Sequence, residues 1–136
     1  MKRNSSIING VYTKFLTPFL LCFALYVQVF GEVSPGGGFQ AGAIIATSLI
    51  AYDLSCAKLE QDLTSPLLIR LSSLGILIYM FTGIYSFAAG KNFLDYSVIA
   101  NNIDARKIGI CMVELGVCFT VSMTMIFIYL EIKNAN

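Results

Sequence analysis

Four long stretches of the chain carry almost no charge. Phe15–Gly31 runs between Lys14 and Glu32, and Val33–Tyr52 between Glu32 and Asp53. Leu71–Gly90 runs between Arg70 and Lys91, and Ile108–Leu130 between Lys107 and Glu131, interrupted only by Glu114. A helix needs about 20 apolar residues to cross roughly 30 Å of hydrocarbon. Three of the stretches have that length, and snorkelling by Lys14 lengthens the shorter first one. The pattern predicts an all-α integral membrane protein, one domain over residues 1–136. Its four transmembrane helices, over 13–32, 36–54, 68–90 and 108–131, are expected to form one antiparallel bundle.

Composition agrees. Of the 136 residues, 57% are hydrophobic and 12% charged, against about 25% charged in soluble domains. A net charge of +1 argues against nucleic acid as a partner. Met1-Lys2-Arg3 resembles the charged start of a signal peptide. No small-x-small cleavage site follows at Val27–Glu32, so the first stretch is expected to stay as a helix. The four cysteines show no zinc spacing and read as packing residues. There is no histidine, so proton chemistry would fall to carboxylates. No metal site, cofactor or catalytic group is expected, and an enzyme is improbable: no nucleophile–base pair or nucleotide motif occurs.

The links between stretches add topology. The first is short, which makes helices one and two antiparallel neighbours. In the second, Pro66 suits a first helical turn capped by Thr64 or Ser65. In the third, Phe93, Leu94 and Tyr96 are expected in a short interfacial or re-entrant element. Asp53, Asp95 and Asp104 are expected at water-facing ends. Lys2, Arg3, Lys14, Lys58, Arg70 and Lys133 fall on one side, and Lys91, Arg106 and Lys107 on the other. That bias favours cytoplasmic termini.

Two features stand out. The first is Ser34-Pro35-Gly36-Gly37-Gly38-Phe39, with three of the poorest helix formers where a span should begin. Ser34 is a plausible N-cap and Pro35 a plausible first helical residue. The glycines permit a tight turn and close backbone approach, or expose N–H groups that attract anions. Small residues then recur at four-residue spacing: Gly38, Gly42 and Ala46, then Ala43, Thr47 and Ala51. Gly116, Thr120 and Thr124 repeat that pattern, and Gly75 and Gly83 lie two turns apart. Such stripes bring membrane helices into close contact. Packing is the first reading, with ion coordination at the start of helix two behind it.

The second feature is Glu114, alone in the last stretch. An ionised carboxylate in hydrocarbon costs about 2.5 kcal/mol or more, so it is expected to be protonated, hydrogen-bonded or paired. Cys111, Cys118 and Val121 share its helix face, so a partner must come from another helix or another protein chain. It reads equally as a proton- or cation-responsive carboxylate and as a neutral packing residue near the membrane boundary. Gln28, Thr82 and Ser86 are possible hydrogen-bonding companions.

"TPFLLCFALYVQVFGEVSPGGGFQAGAIIATSLIAYDL", "GILIYMFTGIYSFAAGKNFLDY" and "IGICMVELGVCFTVSMTMIFIYLEI" resemble, in order, the MnhB/MrpB components of the multisubunit Mrp (Mnh) cation/proton antiporters. The resemblance implies a small, non-catalytic component of a hetero-oligomer with the other Mrp/Mnh subunits, in a bacterial plasma (inner) membrane. That complex exports Na⁺ in exchange for H⁺ at the expense of the proton-motive force. The MnhB component would be required for assembly and activity without transporting alone. The family's glycine motif falls on Pro35–Phe39 and its intramembrane glutamate on Glu114. Relatives often carry a histidine just before the motif, where this chain has Gly31-Glu32-Val33. Glu32 is therefore a second candidate proton-responsive residue.

Two alternatives remain. Related modules occur in hydrogenase-like energy-converting complexes. A homodimeric proton-coupled exporter also uses four helices and one glutamate, but carries that glutamate in its first helix among aromatic residues that include tryptophan. Here helix one has no carboxylate and the chain has no tryptophan. The glycine faces also offer the isolated chain a route to self-association.

Overall fold

A computed structural model describes residues 2–31, 35–56, 63–96 and 103–135. It contains four helices and, among the described residues, no strand: α1 (Lys2–Val29), α2 (Gly38–Cys56), α3 (Ser65–Ala88) and α4 (Ile103–Ala135). Helices α1 and α4 run well beyond the apolar stretches, because the edge of an apolar run marks where a membrane would end and not where backbone hydrogen bonding must stop. Three segments are long and apolar enough to cross a membrane: Gly10–Val29, Ser65–Ala88 and Arg106–Ala135. Helix α2 has 19 residues, with Gln40 and Asp53 among them.

The helices pack in the order α1–α2–α4–α3, and α1 touches α4 only slightly. Helices α1 and α2 are antiparallel, as are α3 and α4. Helices α2 and α4 run parallel, with Gly38 meeting Glu114 at one end and Asp53 meeting Lys133 at the other. This corrects the expected all-antiparallel bundle, because the two central neighbours are separated in the chain by α3 and so point the same way. Thr13 and Ser55 hydroxyls share a 2.8 Å hydrogen bond, and Ser65 donates to Glu131 at 2.8 Å. The start of α1 and the end of α4 therefore lie at one end of the row.

The distribution of side chains is that of a protein in lipid. Phe15, Phe19, Phe23, Phe81 and Phe87 lie on the outside. The interior holds Ala24, Ala41, Ala46, Ser48, Ser86 and Ser122. Between lipid-exposed helices no hydrophobic drive favours large interior residues, so close packing through small ones holds the helices together. Gly75 of α3 faces Gly116 of α4: a Cβ on Gly75 would sit 2.5 Å from the Gly116 carbonyl oxygen. Beside this contact Ser72 and Thr124 share a 2.8 Å hydrogen bond, and Thr120 bonds back to the Gly116 carbonyl at 2.9 Å. Larger groups close the row near the termini, where Leu68, Ile126 and Leu130 pack around Ala46.

Pro66 occupies the first turn of α3 after Thr64, whose side chain makes no capping bond. Ser65 instead reaches across to Glu131. After α3 the chain turns at Gly90, with a φ of 76°, and folds back. A Cβ on Gly83 would run into the Phe93 ring, which also meets Tyr79 edge-on at 6.3 Å.

Candidate functional site

The glycine segment makes the α1–α2 reversal. The backbone of α1 continues one residue past its last regular position, with Phe30 N–H donating to Tyr26 O at 3.0 Å. The chain then doubles back so tightly that a Cβ on Gly31 would lie 2.9 Å from the Gly37 Cα. One on Gly36 would lie 3.1 Å from both the carbonyl oxygen and a methyl of Val27. Gly37 has a φ of 143°, a conformation L side chains rarely adopt. This corrects the expected helix start. Pro35 lies in an exposed turn and not in the first helical turn, and α2 begins at Gly38, because the positive φ of Gly37 interrupts any helix running through it. Ser34 and Glu32 lie outside the described residues.

Glu114 of α4 is set directly against this turn. A Cβ on Gly31 would be 3.2 Å from Oε2, and one on Gly37 3.3 Å from Oε1. One residue on, a Cβ at Gly38 would run into the Glu114 backbone carbonyl. The absence of side chains at 31, 37 and 38 thus creates the space in which the carboxylate and its helix sit. The carboxylate lies beside the N-terminus of α2, where unsatisfied N–H groups carry partial positive charge. Gly42, one turn along, meets Cys118 and Val121 of α4, a Cβ there falling 2.7 Å from the Cys118 carbonyl oxygen. Phe39 points outward and Ala46 is fully buried.

Residues from three other places complete the surroundings. Gln28 of α1 is 6% exposed, and neither polar atom of its side chain has a hydrogen-bond partner among the described residues. With Glu114, Cys111 and Lys107 it lines a cleft of about 230 Å³ between α1 and α4. Tyr96, from the loop after α3, has its phenol pushed above the ordinary range, first by burial, then by Tyr79 and Glu114. Gln28 was visible in the sequence as a polar residue in an apolar run. Nothing in the sequence linked Tyr96 to Glu114.

A fully buried carboxylate lies at the opposite end of the α2–α4 seam. Asp53 is 1% exposed. Its Oδ2 accepts from the Lys133 ammonium at 2.8 Å and the Tyr129 hydroxyl at 2.9 Å. This corrects the expected water-facing position of Asp53: α4 extends past Glu131 and carries Lys133 alongside it. The side chains of Cys56 and Asp104 lie outside the described residues. Among the described residues no cluster of potential metal ligands occurs.

The turn and its glutamate lie within a region that matches a family model. Residues 8–127 match the model of the "domain related to MnhB subunit of Na+/H+ antiporter". The chain belongs to the MnhB family. It is 32% identical over 100 residues to the B component of the Na(+)/H(+) antiporter of Bacillus subtilis (strain 168), covering 71% of this chain and 68% of that one. It is also 32% identical over 138 residues to the "Putative antiporter subunit mnhB2" of Staphylococcus aureus (strain Newman), covering 92% and 96%. Within this MnhB-family chain the matched region includes the whole α1–α2 reversal, Gln28 and Glu114.

Proposed function

We propose that the chain is the MnhB component of a multisubunit Na⁺/H⁺ antiporter in a bacterial plasma membrane, a non-catalytic part that supports assembly and proton-motive-force-driven Na⁺ export. In this reading all four helices cross the bilayer. Helix α2 does so shielded between α1 and α4, and both termini face the cytoplasm, in line with the Lys/Arg bias. The partners are the other antiporter subunits, reached through the lipid-facing sides of the row. Glu114 is the proton-responsive group. The observation that carries this reading is the seating of the Glu114 carboxylate against Gly31 and Gly37 at the start of α2. A carboxylate in an apolar span is kept at a cost, and here a three-glycine turn is shaped around it.

The test is Glu114→Gln in the assembled complex, which keeps shape and removes charge. Na⁺-driven proton movement in membrane vesicles is expected to fall by about tenfold or more, with recovery of the partner subunits unchanged on pull-down. Full exchange with normal assembly would leave Glu114 a packing residue. Recovery of a hydrogenase or other redox module among the partners would move the chain to an energy-converting relative.

A further inference from the structure

The order α1–α2–α4–α3 leaves α1 and α4 nearly out of contact, and the gap between them is the cleft lined by Gln28, Val29, Lys107, Ile108, Cys111 and Glu114. Among these lining residues Gln28, Lys107 and Glu114 are polar or charged. At its base is the buried Gln28 amide, whose donor and acceptor both lack partners among the described residues. An amide left so in hydrocarbon is costly, and the cleft is the adjoining space from which partners can come. Its mouth is at Lys107, at the start of the Arg106–Ala135 span, where a membrane would give way to water.

We propose that this cleft is a hydrated chamber, holding water that completes the hydrogen bonds of Gln28 and connects Glu114 to the aqueous phase on the side opposite the termini. A volume of about 230 Å³ admits several water molecules, each taking about 30 Å³ in the liquid. Water fits better than a metal cation, because the Lys107 ammonium shares the cleft with its one carboxylate and offsets the attraction a cation would feel. Through the chamber Glu114 exchanges its proton. The carboxyl O–H bond breaks, the proton passes to a chamber water to give hydronium, and the carboxylate keeps the electron pair. Hydration stands independently of transport; only its use by Glu114 rests on the function proposed above.

Cys111 is a native probe of the chamber, and Met112, at the same depth, is exposed on a different face of α4. In membranes holding the assembled complex, chains retaining Cys111 alone are compared with chains carrying Met112→Cys alone. A small, membrane-impermeant methanethiosulfonate reagent attacks thiolates, which form in water and not in lipid, so Cys111 is expected to react at least about tenfold faster. Gln28→Met, similar in shape and apolar, is expected to slow Cys111 by a comparable factor. Ile108→Cys, on the same wall, is expected to react as Cys111 does. Cys22, on the outer face of α1, replaces Met112→Cys as the lipid reference if that variant fails to assemble. Cys111 reacting no faster than the lipid-facing thiol overturns the proposal. So does reaction only after the complex is dissociated, which would show partner protein filling the cleft. Labelling and Na⁺-driven exchange are read separately, so a dry cleft with an essential Glu114 and a wet cleft with a dispensable one are distinct results.

Discussion

Gly38 and Glu114 meet backbone against backbone: a Cβ on Gly38 would occupy the place of the Glu114 carbonyl oxygen. Two nearby glycines, Gly31 and Gly37, flank the carboxylate of the same glutamate. The start of α2 and the first third of α4 are therefore positioned by one another, and the carboxylate is held by the same contact that holds the helices.

Substitution at this contact is expected to act on assembly first. Gly38→Ala forces α4 away from α2 along a stiff helix backbone and is expected to cost about 2–3 kcal/mol, within the range for overpacking. Gly36→Ala meets a Val27 methyl and carbonyl at 3.1 Å, and the smaller displacement is expected to cost about 1 kcal/mol. Thermal unfolding of the purified protein in detergent, followed by loss of helical circular dichroism, ranks the two. Equal effects would show that α4 is free to move.

The Asp53–Lys133 pair is expected to be more than a surface contact. Lys133→Met removes the ammonium that donates to the buried Asp53 carboxylate and leaves the Tyr129 hydroxyl in place. Breaking a buried pair costs about 3–5 kcal/mol, and since the Lys133 side chain remains 33% exposed a smaller loss, about 2–3 kcal/mol, is expected. Adding Asp53→Asn is expected to restore about half of the loss, read as a double-mutant cycle on the same unfolding signal. Additive losses would mean that the two residues act separately.

Gly75 and Gly83 lie on one stripe of α3, yet the structure separates them. Gly75 faces the backbone of α4, whereas Gly83 faces the Phe93 ring in a loop. Gly75→Ala is expected to destabilise by about 2 kcal/mol or more. Gly83→Ala is expected to cost about 1 kcal/mol, because a ring on a loop can swing aside, and Phe93→Ala should remove most of that penalty. A Gly83→Ala effect as large as that of Gly75→Ala would place a rigid partner there.

Much was already determined by the sequence alone. The apolar runs dictated an all-helical chain in a membrane, since a backbone in hydrocarbon must satisfy its hydrogen bonds internally. The reversal at Pro35–Gly38 was legible because so many consecutive glycines serve no helix, and Glu114 because a lone carboxylate in an apolar run is costly. Family membership followed from the same residues. Tertiary structure alone decided that helix neighbours run α1–α2–α4–α3, since the stripes say which faces are small and not which face each one meets. It alone brought Glu114 of α4 to Gly31 and Gly37, far earlier in the chain, and placed Gln28 with it around one cleft. It also buried Asp53, which sequence position put at a water-facing end, because the length of α4 and the register that brings Lys133 beside it arise from packing and not from local hydropathy. Local pattern fixes where backbone must be helical; which charges share a space depends on contacts between helices distant in sequence.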